Sequence, residues 1–67
     1  MNILKERGLY YKRRRKEKHL LQKDVAEQIG SSVQTIRNFE NGVNRLSDTY
    51  FVPLTLLLDI ELSKIPR

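Results

Sequence analysis

Two amides and one guanidinium, spaced three and four residues apart, are the strongest candidates for chemistry in this sequence. Gln34 and Asn38 stand at i and i+4, with Arg37 at i+3, so on a helix they project from one side. Glutamine and asparagine present a donor and an acceptor side by side, which matches the N6 and N7 edge of adenine. Arginine suits guanine or a phosphate, and the nearby Val33 suits a thymine methyl. A single exposed amide is ordinarily only solvated, so this face is expected to contact base edges on the further ground that its helix is the second of two short helices joined by a tight turn.

The positive charge of the chain is concentrated near its beginning. Residues 1–18 hold eight lysines and arginines against two glutamates, a net +6, whereas the whole chain of 67 residues carries +5. A local basic run beside a neutral body is typical of a polyanion contact, or of a solvated helix face. We expect nucleic acid before an anionic membrane, and DNA before RNA. A membrane binder needs a broader apolar face than Leu9, Tyr10 and Tyr11 supply, and small RNA readers usually stack bases on a sheet.

Composition argues against several other classes of protein. The sequence has no cysteine and a single histidine, His19, so disulfides, thiol nucleophiles and cysteine–histidine metal sites are not expected. No paired-carboxylate motif or phosphate loop is present, and the longest apolar run, residues 56–58, is far shorter than a membrane span. We expect one domain over residues 1–67, without enzyme activity, metal or cofactor, located in the cytoplasm and not in a membrane.

Apolar residues recurring at three and four positions predict an all-α chain. A first helix is expected over residues 9–18, because Gly8 weakens a longer helix capped by Asn2; residues 1–8 are then a flexible segment. A second helix is expected over residues 21–29 and ends at Gly30, where a positive φ is tolerated.

The third and fourth helices follow from similar signals. Ser31 and Ser32 offer N-caps to a third helix that ends at residues 41–42, with Ile36, Phe39 and, beyond its end, Val43 pointing inward. Ser47 can cap a fourth helix, but Pro53 predicts that this helix is kinked or begins near the proline. A short last turn is expected over residues 61–65.

The segment QKDVAEQIGSSVQTIRNFENG, residues 22–42, resembles the XRE/Cro/C1-type helix-turn-helix family at unshifted spacing. The similarity covers about residues 11–65, and the motif itself about residues 21–41. It implies a compact, five-helix, lambda-repressor-like DNA-binding domain with the helix-turn-helix at helices 2 and 3. Two departures stand out, because Leu21 occupies a usual Ser or Thr capping position, leaving Asp24, water or a phosphate to cap, and Arg14 occupies an aliphatic one.

The resemblance also implies roles for individual residues. Base edges are expected to be contacted by Ser32, Val33, Gln34, Arg37 and Asn38. Phosphates are expected to be contacted by Gln22, Lys23, Thr35, Asn41, Val43, Asn44 and Arg45, with Gln22 also bracing Gln34. Arg15 and Glu40 are expected to form a structural ion pair between helices 1 and 3.

Function and assembly follow as expectations from the same resemblance. We expect a sequence-specific transcriptional regulator of the repressor type that reads an inverted-repeat operator in double-stranded DNA as a homodimer. The apolar surplus near the end predicts a dimer interface of Leu56, Ile60, Leu62 and Ile65, unless these side chains only cover the small core. The alternative is an antitoxin-type module that binds a toxin and regulates its own promoter. A further protein regulator is compatible with either role.

Overall fold

The computed structural model describes residues 2–65 and forms an all-helical bundle. It contains α1 (Ile3–Glu17), α2 (Gln22–Ile29), α3 (Val33–Glu40) and α4 (Asp48–Leu57), and these residues include no strand. The last turn expected over residues 61–65 is a 3-10 turn, Leu62–Lys64, with extended backbone on both sides of it at Glu61 and Ile65, so the described residues contain four α-helices where a five-helix domain was expected. Of the predicted domain 1–67, residues 1, 66 and 67 lie outside the described residues.

Helix α1 begins six residues earlier than the sequence predicted. The Asn2 carboxamide caps it by accepting from the backbone N–H of Leu4 at 3.0 Å and of Lys5 at 3.3 Å. The helix then continues through Gly8, which is buried. The expectation of a flexible segment over residues 1–8 is therefore wrong for residues 3–8. The physical reason is that Gly8 leaves room for another helix to pack against α1 and does not end α1.

A cluster of aromatic rings forms the centre of the core. Tyr11 is almost fully buried, and its ring centroid lies 5.2 Å from that of Phe39 and 5.3 Å from that of Phe51. The Tyr11 hydroxyl hydrogen-bonds Thr55 Oγ1 at 2.8 Å, so its polar end is satisfied inside the core. Burial raises the pKa of Tyr11 above its ordinary value of 10.0, although the hydrogen bond to Thr55 opposes this shift.

The C-terminal half corrects three expectations. Helix α4 does not begin near Pro53: it starts at Asp48, where the Ser47 carbonyl accepts from two backbone N–H groups, and Pro53 lies inside it. Ile60 and Ile65, expected outside the closed core, are buried within it at 8% and 9% exposure. Val43, expected to point inward, is 61% exposed because the chain leaves the core at the end of α3.

The ends of α1 and α4 meet through polar contacts. Arg14, at the position where the family has an aliphatic residue, donates from Nη2 to the Leu58 carbonyl at 2.9 Å. The Lys18 ammonium lies 2.6 Å from the Asp59 carboxylate and holds the pKa of that carboxyl below its usual value. His19 and Asp59 both adopt a positive φ, 58° and 52°, at the turns where α1 and α4 end. Non-glycine residues therefore occupy left-handed positions at both helix ends.

Candidate nucleic-acid interface

Helices α2 and α3 are joined by a tight turn whose geometry follows from three residues. Gly30 ends α2 with φ of 77°, and its N–H and that of Ser31 both bond the Ala26 carbonyl. Ser32 is the N-cap of α3, and its hydroxyl accepts from the Thr35 N–H at 3.1 Å. Two short helices separated only by residues 30–32 form the helix-turn-helix unit that the sequence predicted.

The outer face of α3 carries the amide side chains as one hydrogen-bonded array. Gln34 Nε2 donates to Asn38 Oδ1 at 2.8 Å, and Arg37 Nη1 donates to Gln34 Oε1 at 3.3 Å. Ser32, Gln34 and Arg37 are exposed, whereas Val33 and Asn38 are half-buried. The structure thus places all five predicted base-contacting residues at the start or along the length of one helix. The array fixes which way each amide points.

A buried ion pair holds the far end of α3 against α1. Arg15 donates to the Glu40 carboxylate through Nε at 2.7 Å and Nη2 at 3.0 Å, and its Nη1 donates to the Leu20 carbonyl at 2.7 Å. The side chains are 8% and 4% exposed. Bidentate pairing of this kind fixes both distance and angle between two helices. The pair implied by the resemblance is present.

Gln22 hydrogen-bonds the Arg15–Glu40 ion pair and not the hydrogen-bonded array on the outer face of α3. Its Nε2 donates to Glu40 Oε1 at 3.1 Å. The charged Glu40 oxygen is a strong acceptor for this bond, and the expectation that Gln22 also braces Gln34 stays a prediction. The side chain is half-buried at the first position of α2. Arg15, Glu40 and Gln22 consequently link α1, α3 and α2 in one network.

The start of α2 is capped from within the protein. Leu21 has no side-chain acceptor, but its backbone N–H donates to Asp24 Oδ2 at 2.9 Å. Asp24, one of the three caps considered from the sequence, thus makes the reciprocal half of a capping box with the Leu21 N–H. Lys23 next to Gln22 is exposed, as expected of a residue available to phosphate.

The turn after α3 differs from the expected anion site in one respect. The N–H of Gly42 bonds the Phe39 carbonyl at 3.1 Å, and the N–H of Val43 bonds the Asn38 carbonyl at 2.9 Å. Gly42 has φ of 74°, so this is a Schellman ending. These N–H groups close the helix, and a phosphate contact of Val43 through its N–H is not available. The side chains of Asn41, Asn44 and Arg45 are exposed, and Thr35 in the first turn of α3 is half-buried.

One neighbour of this turn was missed by reasoning from the sequence. A Cβ built on Gly42 would stand 2.6 Å from Cγ and 2.8 Å from Cα of Lys5, so the first turn of α1 lies directly on the turn after α3. Lys5 is exposed. The local sequence gives no signal for this contact, because the two residues are 37 positions apart.

Other kinds of site are not found within residues 2–65. No group of three or more histidine, aspartate or glutamate side chains there could hold a metal ion. No helix in the same stretch has the length and apolar character to cross a membrane.

Comparison with known proteins agrees with this geometry. A family model described as helix-turn-helix matches residues 12–65, which is most of the chain. A search of curated proteins found no match. The matched region contains α2, α3 and the turn between them, together with Arg15 and Glu40. The chain therefore belongs to the XRE/Cro/C1-type helix-turn-helix family and is a DNA-binding protein of the transcription-regulator kind.

Proposed function

We propose that this protein is a repressor that reads an inverted-repeat operator in double-stranded DNA as a homodimer. The observation that carries the proposal is the exposed array of Gln34, Arg37 and Asn38 on a helix whose opposite side is buried. An α-helix fits the major groove, where amides read adenine and arginine reads guanine. Side chains already held by one another lose less freedom on binding.

The residues around this array have the chemistry of phosphate contacts. Lys23 at the start of α2 and Arg45 after α3 are exposed cations on either side of the reading helix in the sequence. Asn41 and Asn44 add exposed amides in the turn. Contacts of this kind position a protein on the duplex, whereas the base contacts confer sequence preference.

The homodimer is supported by an apolar groove between α4 and the 3-10 turn. The groove has a volume of about 250 Å³ and is lined by Phe51, Val52, Thr55, Leu56, Ile60 and Leu62. Leu56 and Leu62 are 72% and 68% exposed, which leaves two large leucines in water beside it. In a two-fold arrangement each copy offers both the groove and the leucines that fill the partner's groove. Ile65 is part of the core, so the proposed interface centres on Leu56 and Leu62.

A repressor role requires only that the dimer occupies its operator. One small domain contacts a half-site, and two copies give useful specificity on an inverted repeat. The second candidate is the antitoxin-type module, and the same groove is the observation that favours it, since an apolar segment of a toxin would fill it equally well. The two candidates differ in whether the isolated chain is a dimer.

Sequence reading is tested by selecting bound species from a randomised duplex pool at about 0.15 M salt, where nonspecific attraction is weak. We expect an inverted repeat with half-sites about one helical turn apart. Gln34→Ala should lose about 1–3 kcal/mol on that site and accept other bases at one position. Gln28→Ala, at an exposed glutamine on α2 outside the predicted site, is the matched control. Enrichment of no sequence would contradict the proposal.

Assembly is tested by sedimentation of Leu62→Asp beside Ser63→Asp, two exposed neighbours on the 3-10 turn. Because Leu62 is mostly in water in the single chain, the substitution leaves the core intact. We expect Leu62→Asp to convert a dimer to a monomer and Ser63→Asp to remain dimeric. A wild-type chain that is monomeric on its own but keeps its DNA sequence preference would favour the toxin-binding alternative.

A further inference from the structure

The first turn of α1 packs directly against the turn that follows α3. A Cβ on Gly42 would meet Cγ, Cα and N of Lys5 at 2.6, 2.8 and 2.9 Å, so helix backbone and turn backbone are in direct contact. One helical turn further on, a Cβ on Gly8 would stand 2.3 Å from the Phe39 carbonyl oxygen and 2.7 Å from that of Glu40. Two glycines thus seat α1 on the end of α3.

This packing fixes the backbone of a cationic residue, Lys5, at a defined position relative to α3. Lys5 is exposed and forms no ion pair within residues 2–65. The adjacent acid, Glu6, lies about 100° further around the helix and is half-buried. The Cγ and backbone of Lys5 lie over Gly42, so this side chain starts beside the turn that carries Asn41, Asn44 and Arg45.

We propose that Lys5 binds a backbone phosphate of the DNA, next to the phosphates contacted from the turn after α3. The inference rests on the proposed function. It adds a residue outside the matched region, which begins at residue 12. Because α1 is a folded helix here, the backbone of Lys5 is already positioned beside this turn before DNA binds, and only its side chain has to be ordered by the contact.

The test compares Lys5→Met with Arg13→Met by measuring affinity for duplex DNA over a series of salt concentrations. Methionine keeps an apolar stem over Gly42 but removes the charge. Arg13 is the matched control, since it is an exposed cation on α1 two residues from buried Tyr11, about 200° around the helix and so on its outer side. Circular dichroism and the unfolding midpoint should be the same for all three proteins.

We expect Lys5→Met to reduce the slope of log affinity against log salt by about 0.9 for each bound copy, with base preference unchanged. Arg13→Met should keep the wild-type slope, and Lys5→Arg should restore it. A Lys5→Met slope equal to wild type, or an equal loss in Arg13→Met, would overturn the inference while leaving the operator proposal standing. A wild-type chain that binds DNA without sequence preference refutes the operator proposal, and the slopes on that DNA still decide on Lys5. Absence of any DNA binding would overturn both.

Discussion

Removal of the Glu40 carboxylate is the most demanding test of how α3 is held against the rest of the fold. Glu40 accepts two hydrogen bonds from Arg15 and one from Gln22, and both partners of the ion pair are less than 10% exposed. Glu40→Ala leaves the guanidinium buried, with only the Leu20 carbonyl among its present acceptors. Breaking one side of a buried pair costs about 3–5 kcal/mol. A domain of this length has a total stability of about 3–10 kcal/mol, so the variant should be close to unfolding.

Urea unfolding followed by far-UV circular dichroism measures this cost, with sucrose added if the variant is partly unfolded in buffer. Glu17→Ala is the control, because Glu17 pairs with Arg14 at the surface with 62% of its side chain exposed, and its loss should cost less than about 1 kcal/mol. The double variant Arg15→Met with Glu40→Leu should recover most of the loss, since no charge is then buried alone. Equal costs for Glu40→Ala and Glu17→Ala would refute the reasoning, as would a double variant no more stable than Glu40→Ala.

Three further predictions concern stability and use the same unfolding assay. Gly8→Ala should destabilise the fold by about 1–3 kcal/mol although alanine is the better helix former, because the new methyl meets fixed carbonyl oxygens; a stabilised variant would contradict the seating of α1. His19→Gly should stabilise the fold by about 0.5–1 kcal/mol, because glycine adopts a positive φ without strain, although it also adds conformational entropy to the unfolded chain. An unchanged unfolding midpoint would count against strain at His19. Tyr11→Phe should cost about 1 kcal/mol below pH 10 through its lost hydrogen bond. Because the folded pKa of Tyr11 is raised, wild type loses stability as the pH rises from 10.0 through that pKa, and this extra loss should be absent from Tyr11→Phe.

Local sequence signals made the helix-turn-helix predictable, whereas the packing of the neighbouring segments against it could not be predicted. Ser32 and Gly30 act on backbone groups within a few residues, so their roles as N-cap and helix end follow from type and position. Gly8 has no such local role. Its function depends on carbonyl oxygens more than thirty residues away, and within its own helix it only resembles a break. Ile60 and Ile65 were expected at a dimer interface from the sequence. Their burial depends on how the chain returns to the core after α4, which local sequence signals do not show.

The functional site shows the same division between residue types and their partners. The spacing of Gln34, Arg37 and Asn38 correctly indicated one helix face, because helical periodicity fixes which side chains are neighbours. Whether these residues contact bases stays a prediction. The bond from Gln22 to Glu40 could not be predicted from spacing, because the two residues are 18 positions apart and lie on different helices.

The two sides of α3 have separate physical tasks, and this separation explains how a helix of eight residues can be a reading element. An isolated helix of that length is unstable in water, so α3 depends on its surroundings. Its inner side supplies Ile36 and Phe39 to the core and Glu40 to the ion pair, while the glycine-seated α1 covers its end. None of these contacts uses Gln34 or the rest of the outer face. If the proposed base contacts hold, substitutions on the outer side should change which bases are recognised with little cost in stability, whereas substitutions on the inner side should change stability first and DNA affinity only as a consequence.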